Sequence, residues 1–304
     1  VTTTGFQIEV YFQVVARHDL AGKSKMFISS EDPSPKFEDK TLVLTSVSVG
    51  NVGQLSADLL ISSLSMKRIG YIYHESILPM VGNDPFASVD AATCKIVTSC
   101  EVYESMQQKL VVIQQRAPFI KGKRPCFRNW LVQWIKENKF KMVIILTSTH
   151  AHERIDVQLQ GSQFRYVASS QIEEQFGDVF KNLHHWNVLE RRTKFPAPSP
   201  IDQPVGEEVK ELYLPGGGIA KSLFEDLCDA GVPAAVLLMF CAEGDNVQEA
   251  ITLTDQLNTW LQLVDFHKKT LDNTLTAEQN LNDWKIPLSW KLFFGSRVDQ
   301  TLFH

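Results

Sequence analysis

The sequence predicts an α/β protein: a three-layer fold with a mostly parallel sheet and helices on both faces. Three observations carry this. From Thr41 onward, strand-like and helix-like segments alternate. The strand-like segments are continuous apolar runs rather than alternating ones, the pattern of strands buried on both faces. The chain has 304 residues and is 44% hydrophobic, which suffices for one large buried core.

Each element has its own signal. "KTLVLTSVSVG" reads as a buried strand rich in β-branched residues. "NVGQLSADLLISSL" follows as a loop and helix, with Leu55, Leu59, Leu60 and Leu64 as its apolar stripe. "KRIGYIYH" is the next strand. "CKIVTSCEVYES" and "QKLVVIQQR" form a strand pair turning near Met106 and Gln107. "KRPCFRNWLVQWIKENK" is an amphipathic helix that tolerates Pro125 in its first turn. "FKMVIILTSTH" is a buried strand, "RYVAS" a short one, and "SQIEEQFGDVFKNL" a helix. "RRTKFPAPSPIDQPVGEE", with four prolines, is a surface loop centred on residues 195–206. After "VKELYLPGGG" come a helix from about Ile219, the strand "VPAAVLLMFC" and the long helix "NVQEAITLTDQLNTWLQLVDF". Too few strands follow the Pro-rich loop for a second sheet, so residues 26–294 are expected to form a single domain. Residues 1–25 lack an initiator Met and a signal-peptide pattern, and Met26 is expected to be the natural start.

Composition narrows the function. The net charge is -5, and the densest basic group is Lys121, Lys123, Arg124 and Arg128, so nucleic acid is not an expected partner. These four read as a solvated loop and helix start. The five cysteines, Cys94, Cys100, Cys126, Cys228 and Cys241, are odd in number and contain no CxxC, as in reduced thiols of a cytoplasmic or nuclear protein. The longest apolar run, "VPAAVLLMF", is too short to span a bilayer.

Two glycine-rich turns could carry chemistry. "LYLPGGGIAKSLF" places three glycines and Lys221 at a helix start. A P-loop needs glycine directly before the lysine, and here Ala220 stands there. A tight structural turn is the favoured reading, and anion binding at the helix N-terminus the alternative. "VGNVGQLSADLL", with Gly50, Asn51 and Gly53, poses the same choice at the sheet's expected carboxyl edge. His150 and His152 have H-x-H spacing, but no second His/Cys cluster completes a metal site. Ser148, near His150, lacks a G-x-S-x-G elbow. No catalytic residue, metal or cofactor is expected.

Seven segments then act together: "VSVGNVGQLSADLLISSL", "KRIGYIY", "ILPMVGNDPFA", "GSQFRYV", "LYLPGGGIAKSLF", "FCAEGDNVQEA" and "WKIPLSWKLFFGS". In order and spacing the chain from Met26 onward resembles the proteasome assembly chaperone 2 family. The resemblance implies a non-catalytic fold similar to nucleoside phosphorylases. It implies a heterodimer with proteasome assembly chaperone 1 that promotes formation of the proteasome α-ring and prevents off-pathway α-ring dimers. A nucleoside- or phosphate-handling enzyme using the glycine loops is the alternative. The resemblance also gives the tail, residues 295–304, a meaning. Partners of the α-ring commonly end in a hydrophobic residue, a tyrosine and any last residue. Leu302, Phe303 and His304 are similar to that motif, with Phe in place of Tyr. They are the expected α-ring anchor on a flexible tether.

Overall fold

The computed structural model describes residues 26–87, 95–193, 210–265 and 284–292. The extension at 1–25, the Pro-rich loop at 195–206, Cys94, and the tail with Leu302, Phe303 and His304 lie outside the described residues. The chain opens with β1 (Phe27–Ser29), β2 (Thr41–Thr45), α1 (Val52–Ser63), β3 (Lys67–Ile72), β4 (Val81–Asn83) and β5 (Ile96–Thr98). It continues through β6 (Cys100–Ser105), β7 (Leu110–Gln115), α2 (Arg124–Glu137), β8 (Met142–His150), the single turn α3 (Asp156–Leu159) and β9 (Phe164–Ala168). Then come α4 (Ser170–Asp178), β10 (Arg192–Thr193), β11 (Lys210–Glu211), α5 (Ala220–Asp229), β12 (Ala234–Cys241) and α6 (Val247–Leu261).

The main sheet has the order β1-β3-β6-β7-β2-β8-β12-β9. Its centre, β7-β2-β8-β12, is parallel throughout. β3 runs in the same direction, while β1, β6 and β9 run against it. The parallel centre explains the unbroken apolar runs, because helices cover both faces there. Leu42, Leu44, Val143, Ile145, Val236 and Leu238 face α2 and α5, with Phe127, Leu131, Leu223 and Phe224. Val43, Ile144, Leu146, Ala235 and Leu237 face α1 and α6, with Leu59, Leu60, Leu253 and Leu257. Adjacent residues thus enter opposite cores, and each large one contributes about 1.5–3 kcal/mol by leaving water.

Three elements differ in detail from the sequence expectation. "CKIVTSCEVYES" splits at Ser99, and β5 leaves the main sheet to pair with β4. The fully buried Glu101 carboxylate directs the split, taking the Thr98 amide at 3.1 Å and Arg68 at 2.8 Å. The long final helix stops at Leu261, because Gln262 turns left-handed at φ 51°. The helix from Ser170 ends in a π-helical turn, Val179–Leu183, that turns Phe180 fully inward against Trp186 and Trp260.

Candidate functional site

An open α/β sheet offers its ligand crevice at the carboxyl ends of its parallel strands. Here that crevice is filled by the protein itself. The glycine turn at residues 215–218 lies across the ends of β2 and β8, and hydroxyls from both strands hold it. Ser46 Oγ donates to the Gly217 carbonyl at 2.8 Å and accepts from the Ile219 amide at 2.9 Å. Thr147 Oγ1 donates to the same carbonyl at 3.1 Å, and Thr149 Oγ1 donates to the Pro215 carbonyl at 2.7 Å. The Val49 amide reaches the Gly216 carbonyl at 3.0 Å. A phosphate cradle needs free loop amides aimed at the ligand. In this turn the amides of Gly217 and Ala220 donate to Leu214 and Gly217, and that of Ile219 to Ser46.

Two glycines make the closure possible. Gly218 has φ 65°, and a Cβ there would stand 2.3 Å from both Ser46 Oγ and the Val47 carbonyl oxygen. Gly53, in the first turn of α1, passes so near β8 that a Cβ would stand 2.5 Å from the Leu146 carbonyl oxygen. Gly217 does not share this need. Its φ is not positive, and its Cβ would meet nothing nearer than the Leu214 oxygen at 3.2 Å.

The candidate nucleophiles are engaged elsewhere. Ser148 is fully buried, donates to the Val49 carbonyl, and shares a 2.8 Å hydrogen bond with Ser48 Oγ. Among the described residues no histidine nitrogen is within hydrogen-bond distance of its hydroxyl. Cys241, beside it, is buried, and burial pushes its thiol up to about 11, so it is protonated at neutral pH. His150 and His152 do come together, with ring centres 4.9 Å apart, and the His150 ring lies against Gly216. Among the described residues no group of three His, Cys, Asp or Glu could hold a metal ion. Lys221 turns away from the glycines and pairs with Glu211 at 3.1 Å. Lys221→Ala therefore removes one half-exposed ion pair. It is expected to change stability by less than about 1 kcal/mol in urea unfolding.

The buried charges tie helices to strands. Asp58 on α1 takes Arg116 through two hydrogen bonds, of 2.6 and 3.1 Å, and Gln114 through one of 2.8 Å. Burial opposes the Arg116 charge, yet its pKa is raised because Asp58, Tyr103 and Glu101 together outweigh that penalty. On the same face of the sheet Glu101, the cross-strand partner of Gln114, also accepts from the Tyr103 hydroxyl at 2.6 Å, and burial raises its pKa despite Arg68. Sequence reasoning missed the crevice's hydroxyl lattice. Its signal was present: "TSVS" and "TSTH" are hydroxyl-rich runs at the ends of two apolar strands. No helix among the described residues is long and apolar enough to cross a membrane.

The fold and the filled crevice define an α/β protein whose strand-end edge is packed with its own glycine turn. The chain belongs to the PAC2 family, which it matches over residues 42–264. It is 43% identical to proteasome assembly chaperone 2 of Danio rerio over 278 residues, 91% of this chain and 100% of that protein. It is 38% identical to the Homo sapiens protein of the same name, again over 91% of this chain and 100% of the other. Among solved structures it is similar to Pyrococcus furiosus PbaA, an archaeal homolog of proteasome-assembly chaperone. There the TM-score is 0.55 at 17% identity, covering 79% of this chain and 88% of that one. Pyrococcus furiosus PbaB, an archaeal proteasome activator, gives 0.55 at 14% identity, covering 80% and 91%. At these identities the two archaeal proteins bear on the fold alone.

Proposed function

We propose that this chain is a non-catalytic chaperone of proteasome core-particle assembly. It acts as a heterodimer with proteasome assembly chaperone 1, promotes α-ring formation and prevents off-pathway α-ring dimers. The observation that carries the reading is the 43% identity to a proteasome assembly chaperone 2 along that protein's whole length. The filled crevice supports it. The amides of Gly217, Ile219 and Ala220 are engaged internally, and a donor already engaged is not one preorganised for a transition state. The glycine turn is then a structural part of an α/β architecture that in other proteins holds ligands.

In this reading the tail anchors the heterodimer on the α-ring. Leu302 fills an apolar part of a pocket between subunits, Phe303 stacks deeper, and the terminal carboxylate of His304 pairs with a pocket lysine. A charge-assisted contact of that kind is among the stronger hydrogen bonds. Phe in place of Tyr forgoes one hydroxyl hydrogen bond, worth about 0.5–1.5 kcal/mol.

The test is co-expression with proteasome assembly chaperone 1 and α-subunits, followed by light scattering and binding measurements. Wild type is expected to form the heterodimer and to retain α-subunits. Deletion of Leu302–His304 is expected to keep the heterodimer and to weaken its hold on the α-ring about tenfold or more, 1.4 kcal/mol per factor of ten. Phe303→Tyr is expected to bind as well or better. Truncated protein that binds like wild type would remove the anchoring role. Two separate monomers at micromolar concentration would remove the heterodimer.

A further inference from the structure

Beside the filled crevice, on the same edge of the sheet, two depressions flank the loop at residues 116–123. One is an open groove of about 560 Å³ lined by Lys121, Arg124 and Arg128, with Phe119, Ile219 and Ser222. The other, of about 200 Å³, is lined by Tyr73, Ile77, Pro79 and Ile120 together with the polar Glu75 and Ser99. Successive residues of one loop, Ile120 and Lys121, therefore border both. Exposed Tyr73, Leu78 and Met80 add apolar surface on the side of the smaller depression.

The charges of the groove are unbalanced. Arg128 pairs with Asp226 at 2.8 Å, and neighbouring Lys123 with Glu75 at 3.1 Å. Lys121 and Arg124 are exposed and have no acidic partner among the described residues. Helices α2 and α5 both begin at this groove. Neither has a side-chain cap or an acidic residue in its first turn. A helix N-terminus carries about half a positive charge and favours acidic neighbours. Here cations stand at both, and negative charge brought from outside would relieve the mutual repulsion.

We propose that this edge docks an acidic segment of a protein partner. Its carboxylates lie in the groove against Lys121 and Arg124, and an adjacent apolar side chain rests on Tyr73 and Leu78. A small inorganic anion fits less well. The cations are spread along an open groove rather than converging in a buried pocket, and the apolar half would have no ligand. Nucleic acid fits less well too, because the cations are confined to one groove on a chain of net charge -5. The inference does not depend on the α-ring role proposed above.

The experiment uses the full chain and a fluorescein-labelled peptide of glutamates with one leucine, read by anisotropy at low and at physiological salt. Binding is expected, and to weaken with salt. Lys121→Glu with Arg124→Glu is expected to weaken it about tenfold or more, with an unchanged thermal melt. Leu78→Ser, or serine for leucine in the peptide, is expected to weaken it several-fold. Lys109→Glu, at an exposed lysine on the β6–β7 turn, is the control and is expected to leave it unchanged. The proposal is overturned if the peptide does not bind, or if Lys109→Glu weakens binding as much as the groove pair does. Loss of the leucine without effect, or displacement of the peptide by inorganic phosphate at comparable concentration, overturns it equally.

Discussion

Gly218→Val is expected to lower stability by about 4 kcal/mol, a large part of the roughly 5–15 kcal/mol that holds a domain folded. Two effects add. A non-glycine residue held at φ 65° costs about 1–3 kcal/mol. The new Cβ also meets Ser46 Oγ and the Val47 carbonyl oxygen at 2.3 Å, and overpacking of this kind costs about 1–3 kcal/mol. Because the first side-chain carbon makes the collision, Gly218→Ala is expected to be nearly as damaging. Gly122→Ala separates the two effects. Its φ is 80°, with nothing within 4 Å of the added carbon, so only the backbone strain remains. Urea unfolding of the three variants checks this. Equal, small losses at Gly218 and Gly122 would mean that the turn gives way and that the crevice is loosely filled. Gly217→Val, without positive φ, is expected to be the mildest change in the turn.

Asp58→Ala is expected to cost about 3–5 kcal/mol, the usual penalty for removing one partner of a buried ion pair. The Asp58 and Arg116 side chains are 7% and 15% exposed. Without the carboxylate, the Arg116 guanidinium keeps its charge and loses both hydrogen bonds, and Gln114 loses a third. Asp58→Ala combined with Arg116→Met removes the stranded charge and is expected to recover much of the loss. A double-mutant cycle in urea measures the coupling. Purely additive losses would show that the pair contributes only packing.

Much of the architecture was legible because burial on both faces leaves a local imprint. "LVLT", "MVIILT" and "AAVLLMF" read as strands since every apolar residue of each enters one core or the other. Amphipathic spacing marked α2 for the complementary reason, with one face apolar and the other wet, whereas α1 carries an apolar stripe but has no exposed residue because α6 packs against it. What misled was local chemistry set by distant groups. Nothing within "CKIVTSCEVYES" says that Glu101 will be buried against Arg68, and so nothing says that the strand breaks at Ser99. The π-helical turn after Asp178 answers to Trp186 and Trp260, which lie outside its own window.

The sequence by itself determined the fold class, the order of the elements and membership of the family, because each rests on patterns that recur within a few residues or in a fixed linear order. It also showed that "PGGGIAK" departs from a P-loop, since that is a matter of adjacent letters. Only the tertiary structure decided what the glycines are for. Ser46 meets Gly217 across 171 positions, and Ser48 meets Ser148 across 100. Those pairings follow from the order β7-β2-β8-β12, which brings the ends of β2 and β8 side by side under the turn that leads into α5. The same order gathers Lys121, Arg124 and the starts of α2 and α5 around one groove. In the linear sequence the basic residues read as a solvated loop, because their charge and the dipole of α5 stand about a hundred positions apart until the sheet closes that distance.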